Sequence, residues 1–462
     1  MSIDLFSVNS VCLIGASREE GKVGSIILKN LKRSFKGEIL LVHPTADEID
    51  GIKCFRNVEE IPHKIDLGII SLPSKKAVDA VKSLSVKGCK ICIPVAGGFG
   101  EQGEEGKQLE MVMKELASKY GSRIIGPNCV GVIIPRIGLN TALTSEEKSR
   151  FPSDGPVGFV SQSGALGLLT IDEFSDFGVG FSSFISLGNE IDVDETDAIE
   201  TLGMDDGTKS IALYIEKIAR IDDFLKACKK VSPSKGIVTL KGGQTDSGNR
   251  ATSLHTGSLL KTSFSLNGIF RQNGIIQASN EIELMDYASV LALGKPIWGK
   301  RVAVVSSAGG VGVIATDTLE NQGFKVGRTS DELASEIRSK ISPIGSPYNP
   351  IDMTAEATNF QYESVINQID KSGEFDSILA FVLFQTFGVT EDIIEFLKSY
   401  NKTGNTPIVI GAVGGEYTRK TMRKMIENGV PTYPSISRSV AALKTLEERG
   451  EYLRRFENAS SS

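Results

Sequence analysis

Short, continuously apolar runs alternate with longer helix-like stretches along the first part of the chain. The apolar runs cover residues 11–14, 39–42, 67–70, 91–94 and 124–125. The spacing of apolar side chains predicts helices over residues 77–86 and 106–118 between them. Buried strands separated by helices are typical of a parallel sheet covered on both faces, so a doubly wound α/β domain is expected.

The same alternation restarts twice. Residues 145–155 are polar and contain Pro152, Asp154 and Gly155, as a linker would, and a new strand is predicted over residues 157–160. A third start follows Pro296, with a strand over residues 302–305. The sequence therefore predicts three α/β domains, over residues 1–148, 155–293 and 298–458.

Composition excludes several classes of protein. The 462 residues are 40% hydrophobic and 23% charged, which excludes wholesale disorder. The net charge of −6 argues against a nucleic-acid partner. No apolar run approaches the roughly 20 residues that cross a bilayer, and the first residues do not resemble a secretory signal. We expect a cytoplasmic protein with no membrane partner.

The cysteines are too few to form a disulfide framework. There are six of them, and Cys89 and Cys92 form a Cys-x-x-Cys pair within a predicted buried strand. No second Cys or His pair lies nearby in the sequence to complete a zinc site. We interpret these cysteines as core residues rather than redox or metal-binding groups, and we predict no metal site in this chain.

A glycine-rich loop follows the first predicted strand. Its candidate ligand-binding residues are Gly15, Ala16, Ser17, Gly21, Lys22, Val23 and Gly24. Glycines let a phosphate approach the backbone, and the N-terminus of the next helix offers unpaired N–H groups. The spacing matches neither the phosphate loop of ATPases nor the Gly-x-Gly-x-x-Gly pattern. The alternative is a tight turn that packs the strand against the helix.

Further loops follow the other strands of this domain. They contribute the candidate residues Pro73, Val95, Ala96, Gly97 and Asn128. Ligands of open α/β sheets bind outside the carboxyl ends of the strands, so these loops and the first one predict a shared cleft.

The second domain has a strand-to-helix turn suited to an anion. It consists of Ser161, Gln162, Ser163, Gly164 and Ala165. Two hydroxyls, a flexible glycine and helix N-terminal amides can bind a phosphoryl group. The Gly-x-Ser-x-Gly elbow of esterases is excluded because Ser161 stands two positions before Ser163. The alternative is a helix cap with a packing glycine.

His255 is a candidate nucleophile. It lies in a Gly-, Ser- and Thr-rich stretch, residues 241–258, for which we predict a long loop. Small neighbours would let phosphate approach the ring. Glu216 ends a predicted strand and could accept a hydrogen bond from one imidazole nitrogen, leaving the other free to attack. The alternatives are an ordinary surface or core histidine and an exposed acid at a strand end.

Eight motifs in order resemble one family, the alpha subunits of ADP-forming acetyl-CoA synthetases, which are related to succinyl-CoA synthetase. The motifs cover residues 21–24 (GKVG), 126–131 (GPNCVG), 161–165 (SQSGA), 188–192 (GNEID), 214–216 (YIE), 255–258 (HTGS), 270–272 (FRQ) and 349–352 (NPID). The resemblance spans nearly the whole chain. It implies a Rossmann-like CoA-binding domain followed by two flavodoxin-like domains.

The resemblance also implies a reaction. Acyl-CoA and phosphate give acyl phosphate and CoA, the acyl phosphate phosphorylates a histidine, and the phosphohistidine gives its phosphoryl group to ADP. By resemblance, His255 would be phosphorylated, Glu216 would orient it, and residues 161–165 would bind the phosphoryl group. The loops containing Gly15–Gly24, Pro73, Val95–Gly97 and Asn128 would bind CoA.

Two features of the sequence qualify this reading. The family has Ser before the histidine where this chain has Leu254, and the small, acidic stretch expected after Ser258 is replaced by residues 259–264, LLKTSF.

Three α/β domains leave no room for an ATP-grasp fold. The resemblance therefore implies a separate ATP-grasp beta subunit that binds Mg²⁺ with ADP or ATP, in an α2β2 assembly.

Two other functions remain open from the sequence. A non-catalytic, CoA-binding regulatory protein would use only the first domain. An NAD-dependent dehydrogenase would need the Gly-x-Gly-x-x-Gly pattern, which the first loop lacks.

Overall fold

The computed structural model describes residues 3–145, 148–248, 250 and 267–460. It divides into two compact units. The first contains residues 1–175 and 180–284, and the second contains residues 176–179 and 285–462.

The described residues form α/β elements throughout. The strands are β1 Ser10–Ile14, β2 Glu38–Val42, β3 Glu48–Ile49, β4 Ile52–Phe55, β5 Leu67–Ile70, β6 Ile91–Pro94, β7 Arg123–Ile124, β8 Val132–Ile134, β9 Leu139–Asn140, β10 Asp154–Ser161, β11 Phe181–Ser186, β12 Ser210–Ile215, β13 Gly236–Lys241, β14 Ile275–Ala278, β15 Val302–Ser306, β16 Ile351–Asp352, β17 Ser377–Phe381, β18 Ile408–Gly411 and β19 Thr432–Tyr433. The α-helices with defined bounds are α1 Val23–Ser34, α2 Ser74–Val86, α3 Glu104–Tyr120, α4 Gly164–Asp176, α5 Glu195–Met204, α6 Ile221–Val231, α7 Asn267–Gln272, α8 Glu281–Leu293, α9 Gly309–Asn321, α10 Asp331–Arg338, α11 Asn359–Ser372, α12 Ile393–Thr403, α13 Glu416–Glu427 and α14 Ile436–Ser460. Short 3₁₀ turns cover Val58–Glu60, Gly100–Gln102 and Pro135–Ile137.

The first sheet has the strand order of a dinucleotide-binding fold. Its order is β3-β4-β2-β1-β5-β6-β7, and every pair except β3 with β4 is parallel. Successive strands are added on one side of β1 and then, from β5, on its other side. The loops that follow β1 and β5 therefore lead to opposite faces of the sheet and leave a crevice between them. The first ligand-binding loop predicted from the sequence follows β1.

The second sheet is flavodoxin-like and is extended at one edge by two strands from earlier in the chain. Its order is β14-β13-β12-β10-β11-β8-β9, and β8 and β9 join antiparallel to their neighbours. These two strands come from the part of the chain that the sequence assigns to the first domain. The strand order reverses between β10 and β12, which places the loops after those strands at a second crevice.

The third sheet lies in the second compact unit. Its order, β16-β15-β17-β18-β19, is that of a flavodoxin-like sheet, and all its pairs are parallel. Side chains of β15 alternate between two apolar clusters, with Ala303 and Val305 in one and Val302 and Val304 in the other. Both faces of the sheet are therefore covered, as the continuous apolar run predicted.

The first two sheets share an apolar core. Val11 and Leu13 of β1 pack in the same cluster as Val160 of β10 and Ile211 of β12, whereas Cys12 and Ile14 face a separate cluster. This alternation explains why β1 is buried along its whole length.

The expected α/β class, with one Rossmann-like and two flavodoxin-like sheets, is confirmed. The predicted linker ends earlier than expected, since Asp154 and Gly155 already belong to β10. Residues 246–248, expected in a loop, are helical.

The cysteines are core residues, as expected. All six are buried free thiols. Within the described ranges, no three His, Cys, Asp or Glu side chains are placed to bind a metal ion together. None of the described helices is long and apolar enough to cross a membrane.

Candidate functional site

A cavity of about 720 Å³ opens where loops of the first two sheets meet, within the first compact unit. Loops that follow β6, β7, β10, β11 and β12 contribute to it. Its lining consists of Val95, Gly100, Glu101, Lys107, Glu110, Asn128, Cys129, Val130, Leu143, Gln162, Ser163, Gly164, Ala165, Gly188, Asn189, Glu216 and Lys217.

The cavity brings together residues that are distant in the sequence. Val95 and Asn128 of the predicted CoA site line it, together with residues 162–165 of the predicted phosphate site and Glu216. Ser161 lies beneath the wall, where it is fully buried and donates its hydroxyl to the Ser163 carbonyl at 2.6 Å. The structure thus joins parts of two predicted sites in one space.

Two further predicted residues lie beside Asn128. Its N–H donates to the Ala96 carbonyl at 3.1 Å. A Cβ added at Gly97 would stand 3.2 Å from the Asn128 Oδ1, so Gly97 packs against this side chain. Asn128 itself adopts a left-handed backbone conformation, with φ of 55°.

The glycine-rich loop after β1 does not line this cavity. Gly15 has φ of 93°, and a Cβ there would lie 2.4 Å from the Ser71 carbonyl oxygen in the loop after β5. A Cβ at Gly24 would lie 2.0 Å from the Gly15 oxygen, so α1 packs directly on the loop. The two glycines are therefore required by close backbone packing at the first crevice.

Other residues of this loop lie around the start of α1. Lys22 immediately precedes α1, gives it no side-chain cap, and has its Nζ 3.7 Å from Glu19 Oε1. The Ser17 hydroxyl accepts the Glu19 N–H at 3.1 Å, and Ala16 is buried. Pro73 precedes α2 in the same way at the loop after β5.

Helix α4 begins at the cavity wall. Gly164 is its first residue, and a Cβ there would lie 2.6 Å from Val130 Cγ1. The Ser163 hydroxyl accepts the Leu166 N–H at 3.4 Å. Because the first N–H groups of a helix lack partners inside it, this end can bind an anion that enters the cavity.

The side chain of Gln162 is fully engaged with the protein. Its Oε1 accepts the backbone N–H groups of Glu216 at 2.6 Å and Lys217 at 3.1 Å. Its Nε2 donates to the Glu190 carboxylate at 2.9 and 3.1 Å and to the Lys217 carbonyl at 2.8 Å. This amide holds the end of β12 in place, a role that sequence reasoning did not assign to it.

Glu216 stands at that strand end with fixed neighbours. The Tyr214 hydroxyl donates to its Oε1 at 3.2 Å, and the Lys241 ammonium donates to its carbonyl at 2.5 Å. Burial, together with the Glu216 carboxylate, raises the pKa of Tyr214, so this phenol stays protonated and remains a donor.

Sequence reasoning missed a polar cluster on the opposite wall. The side-chain amide of Asn189 donates to the carboxylates of Glu101 and Glu110, each at 2.7 Å. The side-chain amide of Asn128 donates to the Asn189 Oδ1 at 3.2 Å. Burial opposes ionisation of Glu101, but bonds from Asn189 and from the N–H groups of Gly98 and Phe99 outweigh it and lower its pKa. Glu101 lies in the 3₁₀ turn before α3, and Glu110 lies on the helix face that buries Gly106 and Met113. The helical period could therefore have marked Glu110, whereas Asn189 lies in a motif already singled out.

His255 and the motif that follows it, residues 256–258, lie outside the described residues.

Three family models match successive parts of the chain, and each match covers most or all strands of one of the three sheets. Residues 9–135 match a "CoA binding domain", residues 154–291 a "Succinyl-CoA ligase like flavodoxin domain" and residues 302–449 a "Ligase-CoA domain".

Comparisons with whole proteins cover almost the entire chain. The chain is 34% identical over 452 residues to the alpha subunit of acetate–CoA ligase [ADP-forming] II of Pyrococcus furiosus, covering 96% of this chain and 97% of that one. It is also 34% identical to acetate–CoA ligase [ADP-forming] I of Archaeoglobus fulgidus, but spans only 63% of that longer protein.

A solved structure agrees with the whole fold. Dinucleotide-forming acetyl-coenzyme A synthetase 1 of Ca. Korarchaeum cryptofilum, in complex with phosphate and ADP, matches with a TM-score of 0.87 at 30% identity, over 97% of both chains. The resemblance found in the sequence is thereby confirmed, and the chain belongs to the family of alpha subunits of ADP-forming acetate–CoA ligases.

Proposed function

We propose that this chain is the alpha subunit of an enzyme that converts acyl-CoA, phosphate and ADP into a carboxylic acid, CoA and ATP. The observation that carries the proposal is the cavity in which the start of α4 and Glu216 meet loops of the CoA-binding domain. A regulatory protein that only bound CoA would need no such junction. The relatives named as ligases also favour catalysis.

The proposed reaction has three steps. A phosphate oxygen attacks the thioester carbonyl, the C–S bond breaks, and CoA leaves as the thiolate, which takes up a proton. An imidazole nitrogen of His255 then attacks the phosphorus of the acyl phosphate, and the P–O bond breaks to release the carboxylate. Finally, a terminal oxygen of ADP takes the phosphoryl group from His255, which regenerates the imidazole.

This chain's residues would assist these steps by positioning and by charge. The N-terminal amides of α4 and the Ser163 hydroxyl would bind the phosphoryl oxygens, which carry about −1.5 to −2 charges near neutral pH. Glu216 would accept the N–H of the imidazole and leave its other nitrogen free for attack, since its carboxylate is already held by Tyr214.

The loop after β1 fits a ligand that bears phosphates. Gly15 adopts a backbone conformation that L side chains rarely adopt, and α1 begins without a side-chain cap from Lys22. N-terminal amides of α1 are thus available to a diphosphate, and we assign this crevice to CoA. Its acyl thioester would extend along Gly97 and Asn128 toward the cavity.

The nucleotide step needs a second polypeptide. We propose an ATP-grasp beta subunit that binds ADP or ATP with Mg²⁺, in an α2β2 complex. This chain spans only 63% of the Archaeoglobus protein, whose remaining length is enough for a domain of this kind. A cytoplasmic location is part of the proposal, because six free thiols are typical of a reducing compartment.

Labelling with radioactive phosphate tests the proposal. The purified complex is incubated with acetyl-CoA and labelled phosphate, and acid-labile label on the chain is measured. We expect label on the wild type and on His63→Ala, which alters an exposed histidine paired with Glu38, but none on His255→Ala. Label that persists on His255→Ala would refute the assignment of His255 as the nucleophile. A wild type that shows neither label nor ATP synthesis would favour a regulatory role.

A further inference from the structure

A buried carboxylate lies behind the cavity wall, where the reaction as described does not use it. Only 4% of the Glu190 side chain is exposed, and it belongs to the loop that follows β11. We propose that Glu190 is a positioning residue that fixes the orientation of the Gln162 amide and thereby holds Glu216 in place for the phosphohistidine. This inference rests on the proposed function of Glu216.

The side chain of Gln162 is an asymmetric amide. Gln162 presents an acceptor on one side and donors on the other, and rotation by 180° would exchange them. The acceptor faces two backbone N–H groups, of Glu216 and Lys217, and the donors face the Glu190 carboxylate and the Lys217 carbonyl. In this orientation every donor of the amide faces an acceptor and its oxygen faces two donors. In the rotated orientation, donors would face donors and acceptors would face acceptors.

Glu190 anchors the donor side of the Gln162 amide. It receives Nε2 on both carboxyl oxygens, at 2.9 and 3.1 Å, and the Lys217 ammonium lies 3.9 Å away. Without an acceptor at residue 190, only the Lys217 carbonyl would hold the donor side. The amide could then rotate, and the N–H of Glu216 would lose its 2.6 Å bond.

The loop holds Glu190 in place despite a backbone cost. Its φ is 58°, in the left-handed region that residues other than Gly adopt only at an energetic cost. Gly188 has φ of 59°, and a Cβ there would lie 2.2 Å from the Pro127 carbonyl oxygen, so the loop is pinned against the first sheet. The carboxylate is therefore presented to Gln162 from a rigid support.

A double-mutant cycle tests this role, using the rate at which His255 is labelled in one turnover. We expect Glu190→Gln to lower that rate at least 10-fold, because a second amide can donate to Gln162 and permits the rotated orientation. The KM values for acyl-CoA and phosphate should change less than 3-fold. Glu190→Gly, which removes the carboxylate and relieves the backbone strain, should show the same loss of rate while remaining folded.

The second arm separates positioning from a general structural effect. Gln162→Met removes the amide but retains side-chain length, and in this background Glu190→Gln should cause no further loss. Glu105→Gln, which alters a carboxylate with 77% of its side chain exposed, is the matched control and should label at the wild-type rate.

The outcomes are distinct. Wild-type rates in both Glu190 variants, or losses that multiply in the double variant, would overturn the positioning role while the proposed function stands. A wild-type enzyme that is never labelled would overturn both.

Discussion

Glu195 gives the first compact unit a stability that depends on pH. It is the first residue of α5 and is only 1% exposed, and neither carboxyl oxygen accepts a bond from an N–H or O–H donor among the described residues. Glu190 is one of the titratable groups that act on it. A buried carboxyl group that receives no hydrogen bond is costly to ionise, so this position favours the neutral form of Glu195.

The surroundings favour that proton. Burial raises the pKa of Glu195 to about 7, and the charge of Asp194 raises it further, while the Lys217 ammonium acts in the opposite direction. Burial and the charge of Glu195 also raise the pKa of Glu190. Cys228 is also close enough to interact with the charge of Glu195, and burial raises the pKa of this thiol, which stays neutral.

The magnitude follows from the difference between folded and unfolded states. An unfolded glutamate has a pKa of 4.5, and about 7 in the folded state corresponds to about 3 kcal/mol at 1.36 kcal/mol per pH unit. The folded protein binds the proton more tightly. This contribution to stability is therefore complete below pH 4.5 and is lost as the pH rises through 7.

The change that tests this is Glu195→Gln, which cannot ionise. Relative to the wild type, the variant should gain about 3 kcal/mol in free energy of unfolding between pH 4.5 and pH 8.5. Loss of the Glu195 charge also lowers the pKa of Glu190, which adds a change of the same sign.

The assay must report on the correct unit. The single tryptophan is Trp298, in the second unit, so its fluorescence would not report on α5. Hydrogen exchange of peptides covering α5, with urea unfolding followed by circular dichroism, is suitable. Glu105→Gln is the exposed control and should show no gain at high pH. Parallel stability curves for the wild type and Glu195→Gln would refute the reasoning.

Two further substitutions probe packing. Gly24→Ala would place a Cβ 2.0 Å from the Gly15 oxygen, and we expect a loss of about 1–3 kcal/mol in unfolding free energy and weaker calorimetric binding of CoA. Gly310→Ala, in the second unit and with no atom within 4 Å of the added Cβ, should bind CoA normally; equal weakening would refute the steric cause. Tyr362→Phe removes a buried hydroxyl that donates to the Phe381 carbonyl at 2.5 Å and lies 3.0 Å from the Ser307 hydroxyl, and should cost about 1–3 kcal/mol in urea unfolding, whereas an unchanged midpoint would contradict this.

Local patterns in the sequence predicted most elements of the first sheet. Leu67–Ile70 and Ile91–Pro94 have the bounds expected from their apolar runs, because glycine, proline and polar residues end them sharply. The sheet to which a strand belongs is a different matter. Val132–Ile134 is apolar enough to be a strand, but its pairing with β11 depends on residues about 50 positions later, which no local pattern specifies.

The candidate site was predictable where strand ends determine it. Glu216 and residues 161–165 follow neighbouring parallel strands, so their meeting in one cavity follows from topology. Glu190 and Asn189 were singled out only as part of a motif. Their inward orientation depends on a left-handed turn after β11, and spacing along the chain does not reveal which side chains such a turn buries.

The saturated amide of Gln162 also changes where a phosphoryl group can bind. Its two donor hydrogens and its acceptor already have protein partners, so binding an oxyanion there would break bonds that hold Glu216. The opposite wall is acidic, with Glu101 and Glu110 close together on Asn189, and would repel a dianion. In the proposed function, attraction would therefore come from the start of α4 and from the ammonium group of Lys217, which also lines the cavity. We therefore expect a phosphoryl group to bind on the side of the cavity on which Gly164 and Lys217 lie, where the proposed histidine would have to receive it.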